Sequence, residues 1–184
     1  MAHLDQQIFC KKVKELFPEY FTNVRVLDIG SLDINGSNHY LFDKYTYIGV
    51  DIGMGKNVNI ISKGHEYKPL DNKPYDIVIS TECFEHDIHW QETINNITDN
   101  LVRSGGMFLF TCATTGRPEH GTRRSMPIDS PFTIDIIDKN WQDYYLNLTE
   151  DDIRMALDLD FKYKYYHFYI GKESHDLYFW GIKL

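Results

Sequence analysis

The order in which two hydrophobic periods alternate constrains this chain most: short runs rich in β-branched and aromatic residues are separated by turn residues and by stretches with helical spacing. That alternation predicts a mostly parallel sheet flanked by helices, since parallel neighbours need long crossovers and helices supply them. Val24 to Ile29 reads as a first strand, Tyr45 to Val50 as a second and Asn57 to Ile61 as a short third. Tyr75 to Ser80 has the continuous apolar character of a strand buried on both faces, which places it mid-sheet. Trp90, Ile94, Ile97 and Leu101 then repeat on one helical face, ended by Gly105 and Gly106, and Met107 to Ala113 follows as a fifth strand. Thr149 and Asp152 form a helix-capping pair ahead of Ile153. Phe161 to Ile170 and Leu177 to Leu184, joined by a short polar turn, predict an antiparallel pair that closes a sheet of seven strands.

The 184 residues fit one domain, too short for a nucleotide-binding domain plus a separate substrate domain. No run approaches the roughly 18 apolar residues of a membrane span. The amino-terminal 20 residues carry Leu4, Ile8, Val13 and Leu16 at helical spacing up to Pro18, unlike the apolar block of a secretion signal, so a cytoplasmic protein is expected. Cys10, Cys83 and Cys112 are scattered and read as buried thiols. A net charge of −8 argues against nucleic acid and anionic membranes as main partners. The aromatic run FKYKYYHFYI reads as sheet and core rather than a base-stacking surface, and these last strands offer a contact for a homodimer.

The segment VLDIGSLDING, Val26 to Gly36, is a strand ending in an acid and a glycine before an expected helix. Asp51 stands 21 residues after Gly30, at the end of the second strand. An acid at about that spacing receives the ribose hydroxyls of a nucleoside held at the first strand-to-helix turn. With YDIVIST and the glycine-terminated helix, the pattern points to a nucleoside cofactor.

From Val24 to Ala113 the chain resembles the class I S-adenosylmethionine-dependent methyltransferases of the small "type 11" kind, through VLDIG, YIGVD, YDIVISTECFEH and LVRSGGMFLF. The resemblance implies a Rossmann-like, doubly wound α/β sheet with helices on both faces and S-adenosylmethionine as cofactor. It implies Asp28, Gly30 and Ser31 around the methionine part, Asp51 with Ile52 at the ribose, and Thr81 and Glu82 near the methionine amino group and the transferred methyl. Glu85 and His86 match the motif that borders the acceptor pocket. The family's Gly-x-Gly-x-Gly is reduced to Gly30 and Gly36, so a wider turn is expected in which Asp33 or Asn35 contacts the ligand. No clear acid follows the third strand, which leaves Gly64, His65 or Glu66 to meet adenine.

Between Thr114 and Leu146 periodicity fails and glycine and proline punctuate a long connection, read as a substrate-facing lid (114–146). Its GRPEHGTRR stretch carries Arg117, Glu119, His120 and Arg123, residue types that suit a small anionic or sugar-like acceptor. His86 and His120, with ordinary pKa values near roughly 6.5, are candidate bases for a hydroxyl acceptor, beside Glu82. Glu85, His86, Asp87 and His89 crowd together, but His86 and His89 are three apart and spacing fixes no third ligand, so no metal is expected. Rival readings are a non-catalytic protein that binds S-adenosylmethionine or S-adenosylhomocysteine, an NAD-dependent oxidoreductase, which shares the first turn and the ribose acid, and a metal hydrolase.

Overall fold

The computed structural model describes residues 4–184; residues 1–3 of the expected amino-terminal helix lie outside the described residues. Helix α1 (Leu4–Leu16) leads into β1 (Arg25–Ile29), β2 (Thr46–Asp51), β3 (Ile60–Ile61) and β4 (Tyr75–Thr81). Helix α2 (Trp90–Asn96) runs on as a wider π turn to Leu101, and β5 (Val102–Ala113) follows directly. Two short helices, α3 (Pro131–Ile134) and α4 (Lys139–Gln142), interrupt the long connection. Then come α5 (Glu150–Ala156), α6 (Leu159–Lys162), β6 (Tyr163–Gly171) and β7 (Asp176–Lys183). The strands form one sheet in the order β3-β2-β1-β4-β5-β7-β6, parallel except for β7, which runs antiparallel to both β5 and β6.

Period-2 alternation sorts the central strands into two cores. Leu27, Ile29, Val78, Phe108, Phe110 and Phe179 pack under α2, α5 and α6 through Ile94, Ile97, Ile153 and Leu159. Val26, Ile77, Ile79, Met107 and Leu109 face the other way, onto Cys10 and Val13 of α1 and onto Phe21 and Leu41. The predicted cap of α5 is a full capping box, Thr149 and Asp152 each accepting from the other's backbone N–H.

Three expectations need correction. The stretch after β1 forms no α-helix, only a 3₁₀ turn at Asn38–Leu41, because its Ser, Asp, Asn and Gly residues bond locally to the backbone and favour turns. Gly105 and Gly106 do not end α2; they lie in a bulge where Arg103–Gly106 oppose Asp76 alone, between the pairs Tyr75–Val102 and Ile77–Met107. The aromatic run is the outermost strand, β6, and of its side chains only Tyr163 is buried among the tyrosines, while Tyr165 and Tyr169 are exposed. No helix among the described residues is long and apolar enough to cross a membrane.

Candidate functional site

Open parallel sheets bind ligands beyond the carboxyl ends of their strands, where neighbouring chains leave in opposite directions. Here β1 has β2 on one side and β4 on the other, and the ends of all three surround a cavity of about 980 Å³, counting the solvent at its mouth. The β1–β2 register pairs Ile29 with Val50, and both Gly30 N and Ser31 N donate to Val50 O, at 2.9 and 3.2 Å. Gly30 and Asp51 therefore lie side by side on the cavity wall. Gly30 is required on two counts: its φ is +76°, and a Cβ there would stand 2.4 Å from Cys83 Sγ and 2.6 Å from Cys83 Cβ.

Asp51 uses both carboxylate oxygens as acceptors, from Leu32 N at 3.0 Å and Ile52 N at 2.8 Å. Burial nonetheless pushes its pKa up to about 6, against the opposing pull of those two N–H groups. Asp28 is more deeply buried. Tyr47 and Asn38 donate to its Oδ2, its Oδ1 has no hydrogen-bond partner, and burial raises its pKa to about 7. Asn38 Nδ2 also donates to Thr81 Oγ1 at 3.1 Å, which ties the end of β4 to the loop after β1. Glu82 adopts a left-handed backbone, φ +53°, and accepts from Thr111 Oγ1 at 2.7 Å. A non-glycine residue at such a φ costs energy that the surrounding contacts must offset.

The long connection closes one side of the cavity through Asp129, Pro131, Phe132, Thr133 and Trp141. Phe132 lies against the loop after β2, where a Cβ on Gly53 would come within 2.7 Å of its ring. Trp141 Nε1 donates to His86 O at 2.7 Å and so pins the connection to the turn after β4. His86 lines the cavity, and burial, with His120 beside it, drives its pKa well below the ordinary histidine value.

A methyltransferase-domain model matches residues 1–144, most of the chain. The chain belongs to this family. Its members are S-adenosylmethionine-dependent methyltransferases, and the sheet order is the expected Rossmann-like one. No curated protein matches the sequence. Among solved structures, the 1,6-didemethyltoxoflavin-N1-methyltransferase of Burkholderia thailandensis, bound to 1,6-didemethyltoxoflavin and S-adenosylhomocysteine, is 13% identical and superimposes with a TM-score of 0.63 over 95% of this chain and 76% of its own. The N-methyltransferase NodS of Bradyrhizobium japonicum WM9 is 12% identical, with a TM-score of 0.58 over 97% of this chain and 95% of its own. The CurJ carbon methyltransferase is 16% identical, with a TM-score of 0.59 over 94% of this chain and 51% of its own.

In this methyltransferase the cavity wall brings together Asp28, Gly30, Ser31, Asn35, Asp51, Ile52, Gly64, Thr81, Glu82 and His86 of the residues expected from sequence. Others stand elsewhere. Asp33 is not in the lining: it accepts from Gly36 N at 2.7 Å and pairs with Lys56 at 2.8 Å, the contact that lowers its pKa most. His65 packs its ring on His89, with centroids 4.3 Å apart, and Glu66 pairs with Lys63 at 3.2 Å. Arg117 donates to Ser174 O at 2.6 Å and faces Asp176, Arg123 pairs with Asp143 at 2.5 Å, and Glu119 holds Arg124 at 3.1 Å. Glu85 and His120 lie behind the wall, and only His86 of the two candidate bases reaches the cavity. Sequence reasoning missed Asn38, Cys83 and Phe132. Phe132 carried a signal, as the one aromatic residue between the prolines and glycines of the connection and the acidic stretch that follows.

Proposed function

We propose that the cavity binds S-adenosylmethionine across the ends of β1, β2 and β4 and directs its methyl group to an oxygen or nitrogen of a small acceptor that is neutral or amine-bearing. One observation carries this reading: the lining holds five carboxyl groups, on Asp28, Asp51, Glu82, Asp87 and Asp129, and no Lys or Arg. Such a wall suits a ligand with a sulfonium and an ammonium, and it opposes anions. It speaks against NAD, whose pyrophosphate wants a helix N-terminus after β1, where this chain has only a 3₁₀ turn. It also speaks against an anionic acceptor, since Arg117 and Arg123 are engaged outside the lining. A sugar-like neutral acceptor remains compatible.

When bound, the cofactor supplies a methyl group already activated for transfer, so the protein needs to orient and to exclude water. Asp51 accepts the ribose hydroxyls, and the partnerless Oδ1 of Asp28 is an acceptor facing the methionine end. Leu32, Ile52 and Phe132 provide apolar wall for the adenine. Pro131, Phe132 and Trp141 act as a lid that keeps water from the reacting end, beside Glu82 and His86. His86 is neutral at pH 7 because burial penalises its charged form, so it holds a lone pair ready for an acceptor hydroxyl proton.

Calorimetric titration with S-adenosylmethionine, S-adenosylhomocysteine and NAD, together with an acceptor screen that detects S-adenosylhomocysteine release, tests the proposal. Binding of the first two but not NAD, with release on a neutral or amine acceptor, is the expected result. A preference for NAD overturns it, and cofactor binding with no release on any acceptor would favour the non-catalytic reading.

A further inference from the structure

Behind the cavity wall the fold assembles a group of buried side chains of which methyl transfer, as proposed, uses only His86. One ligand atom each from Glu85, His86 and His120 lies within 4.8 Å of the other two, and all three residues are buried. His86 and His120 come from the turns after β4 and β5, and their rings meet edge to face with centroids 4.9 Å apart. Both oxygens of Glu85, Nδ1 of His86 and Nε2 of His120 are buried without a hydrogen-bond partner, as is the hydroxyl of Tyr145, whose ring stands 5.0 Å from that of His120. Buried polar atoms are nearly always paired, so several orphans around one point indicate a missing occupant.

We infer that Glu85, His86 and His120 form a binding site for a first-row divalent transition ion, with zinc as the reference case. Two imidazoles and one carboxylate are a known donor set for such ions and a poor one for magnesium or calcium, which prefer all-oxygen shells. His120 shows the expected support: its Nδ1 faces Pro118 O at 3.1 Å, which keeps the proton on that nitrogen and leaves the lone pair on Nε2. The backbone holds the ligands in place. Leu146 N donates to Glu85 O at 3.0 Å, Trp141 Nε1 donates to His86 O, and Gly121, φ +64°, lets the chain pass where a Cβ would stand 2.6 Å from His86 Cε1. Ligand atoms around a tetrahedral zinc stand roughly 3.3 Å apart, so the 4.8 Å span contracts when the ion binds. His86 is the member that also lines the cavity, which sets the ion at its inner wall; its one ring lone pair then goes to the ion, so His86 serves as a base only in the metal-free chain.

The site stands on its own observations, whatever the cofactor. The test uses the whole chain without a histidine tag, stripped of metal, titrated with zinc and with cobalt(II), and compared with Glu85→Gln and His120→Gln. One zinc per chain, the visible absorption of a low-coordinate cobalt(II) ion, and affinity reduced about 100-fold in each variant are expected. Equal melting temperatures of metal-free wild type and variants show that the folds are intact; if one variant melts early, the other carries the comparison. Failure of the wild type to bind one equivalent, or affinity unchanged in a folded variant, overturns the inference. S-adenosylhomocysteine binding is measured in the same samples: its loss in a wild type that binds zinc refutes the cofactor reading alone, and its persistence without zinc binding refutes the metal site alone.

Discussion

Replacing Asp51 with asparagine separates the role of this residue in the cofactor site from its role in the fold. The Asp51 pKa is raised from 3.8 to about 6 by burial, so the folded chain holds that proton more tightly than the unfolded chain does. The sign follows from linkage: the folded state is favoured below about pH 3.8, and stability falls as pH rises through the window up to about 6, by roughly 3 kcal/mol in all. About 1.4 kcal/mol of that loss falls between pH 5 and pH 8. Asparagine carries no charge, so its stability lacks this slope. It does turn an amide NH₂ toward one of the two N–H donors, Leu32 N or Ile52 N, at a cost of about 1–3 kcal/mol. That cost is the same at every pH and cancels when the difference between variant and wild type is followed from pH 5 to pH 8. Urea unfolding across this range should therefore show Asp51→Asn gaining on the wild type by about 1.4 kcal/mol. S-adenosylhomocysteine affinity at pH 8 should fall by about 10- to 100-fold, the worth of hydrogen bonds to a charged acceptor. A difference flat with pH would refute the argument that burial governs this carboxyl, and undiminished affinity would remove Asp51 from the ribose.

Gly30→Ala places a Cβ against Cys83 at a positive φ; strain and overpacking together should cost about 2–5 kcal/mol, read as a melting temperature about 4–20 °C lower. A melting point within a degree of wild type would show that the turn is looser than drawn. Phe132→Ala should weaken S-adenosylhomocysteine binding about tenfold through lost apolar contact, with a faster off-rate in stopped-flow measurements; unchanged kinetics would deny the connection its closing role. Thr149→Ala removes one arm of the capping box on α5 and should cost about 1 kcal/mol in urea unfolding without altering cofactor affinity. His86→Ala should reduce turnover on a hydroxyl acceptor more than it reduces cofactor affinity, and equal turnover would end its assignment as acceptor-facing base.

Much of the fold is legible along the chain because strand burial and helix spacing are local periodicities. VRVLDI, YTYIGV and YDIVIS each show a buried-strand pattern without reference to any partner, and the 21-residue step from Gly30 to Asp51 is the length of chain that carries one strand end to its neighbour. The seven strands, the antiparallel closing pair and the α5 cap followed from such patterns, and the family from the resemblance carried by VLDIG, YIGVD, YDIVISTECFEH and LVRSGGMFLF. What spacing cannot carry is the pairing of side chains across loops. The arginines of the long connection look free in the sequence, yet Arg123 meets Asp143 and Arg117 meets Asp176, because the folded connection brings in acids from distant stretches. The helix expected after β1 gives way to turns, since Ser, Asp and Asn side chains compete for the backbone there. His120 joins Glu85 and His86 from 34 residues away, through a turn held by Pro118 and Gly121. Local pattern decides which residues are strand and which are helix; only packing in three dimensions decides which buried charges share a wall, and those shared walls determine what the cavity accepts.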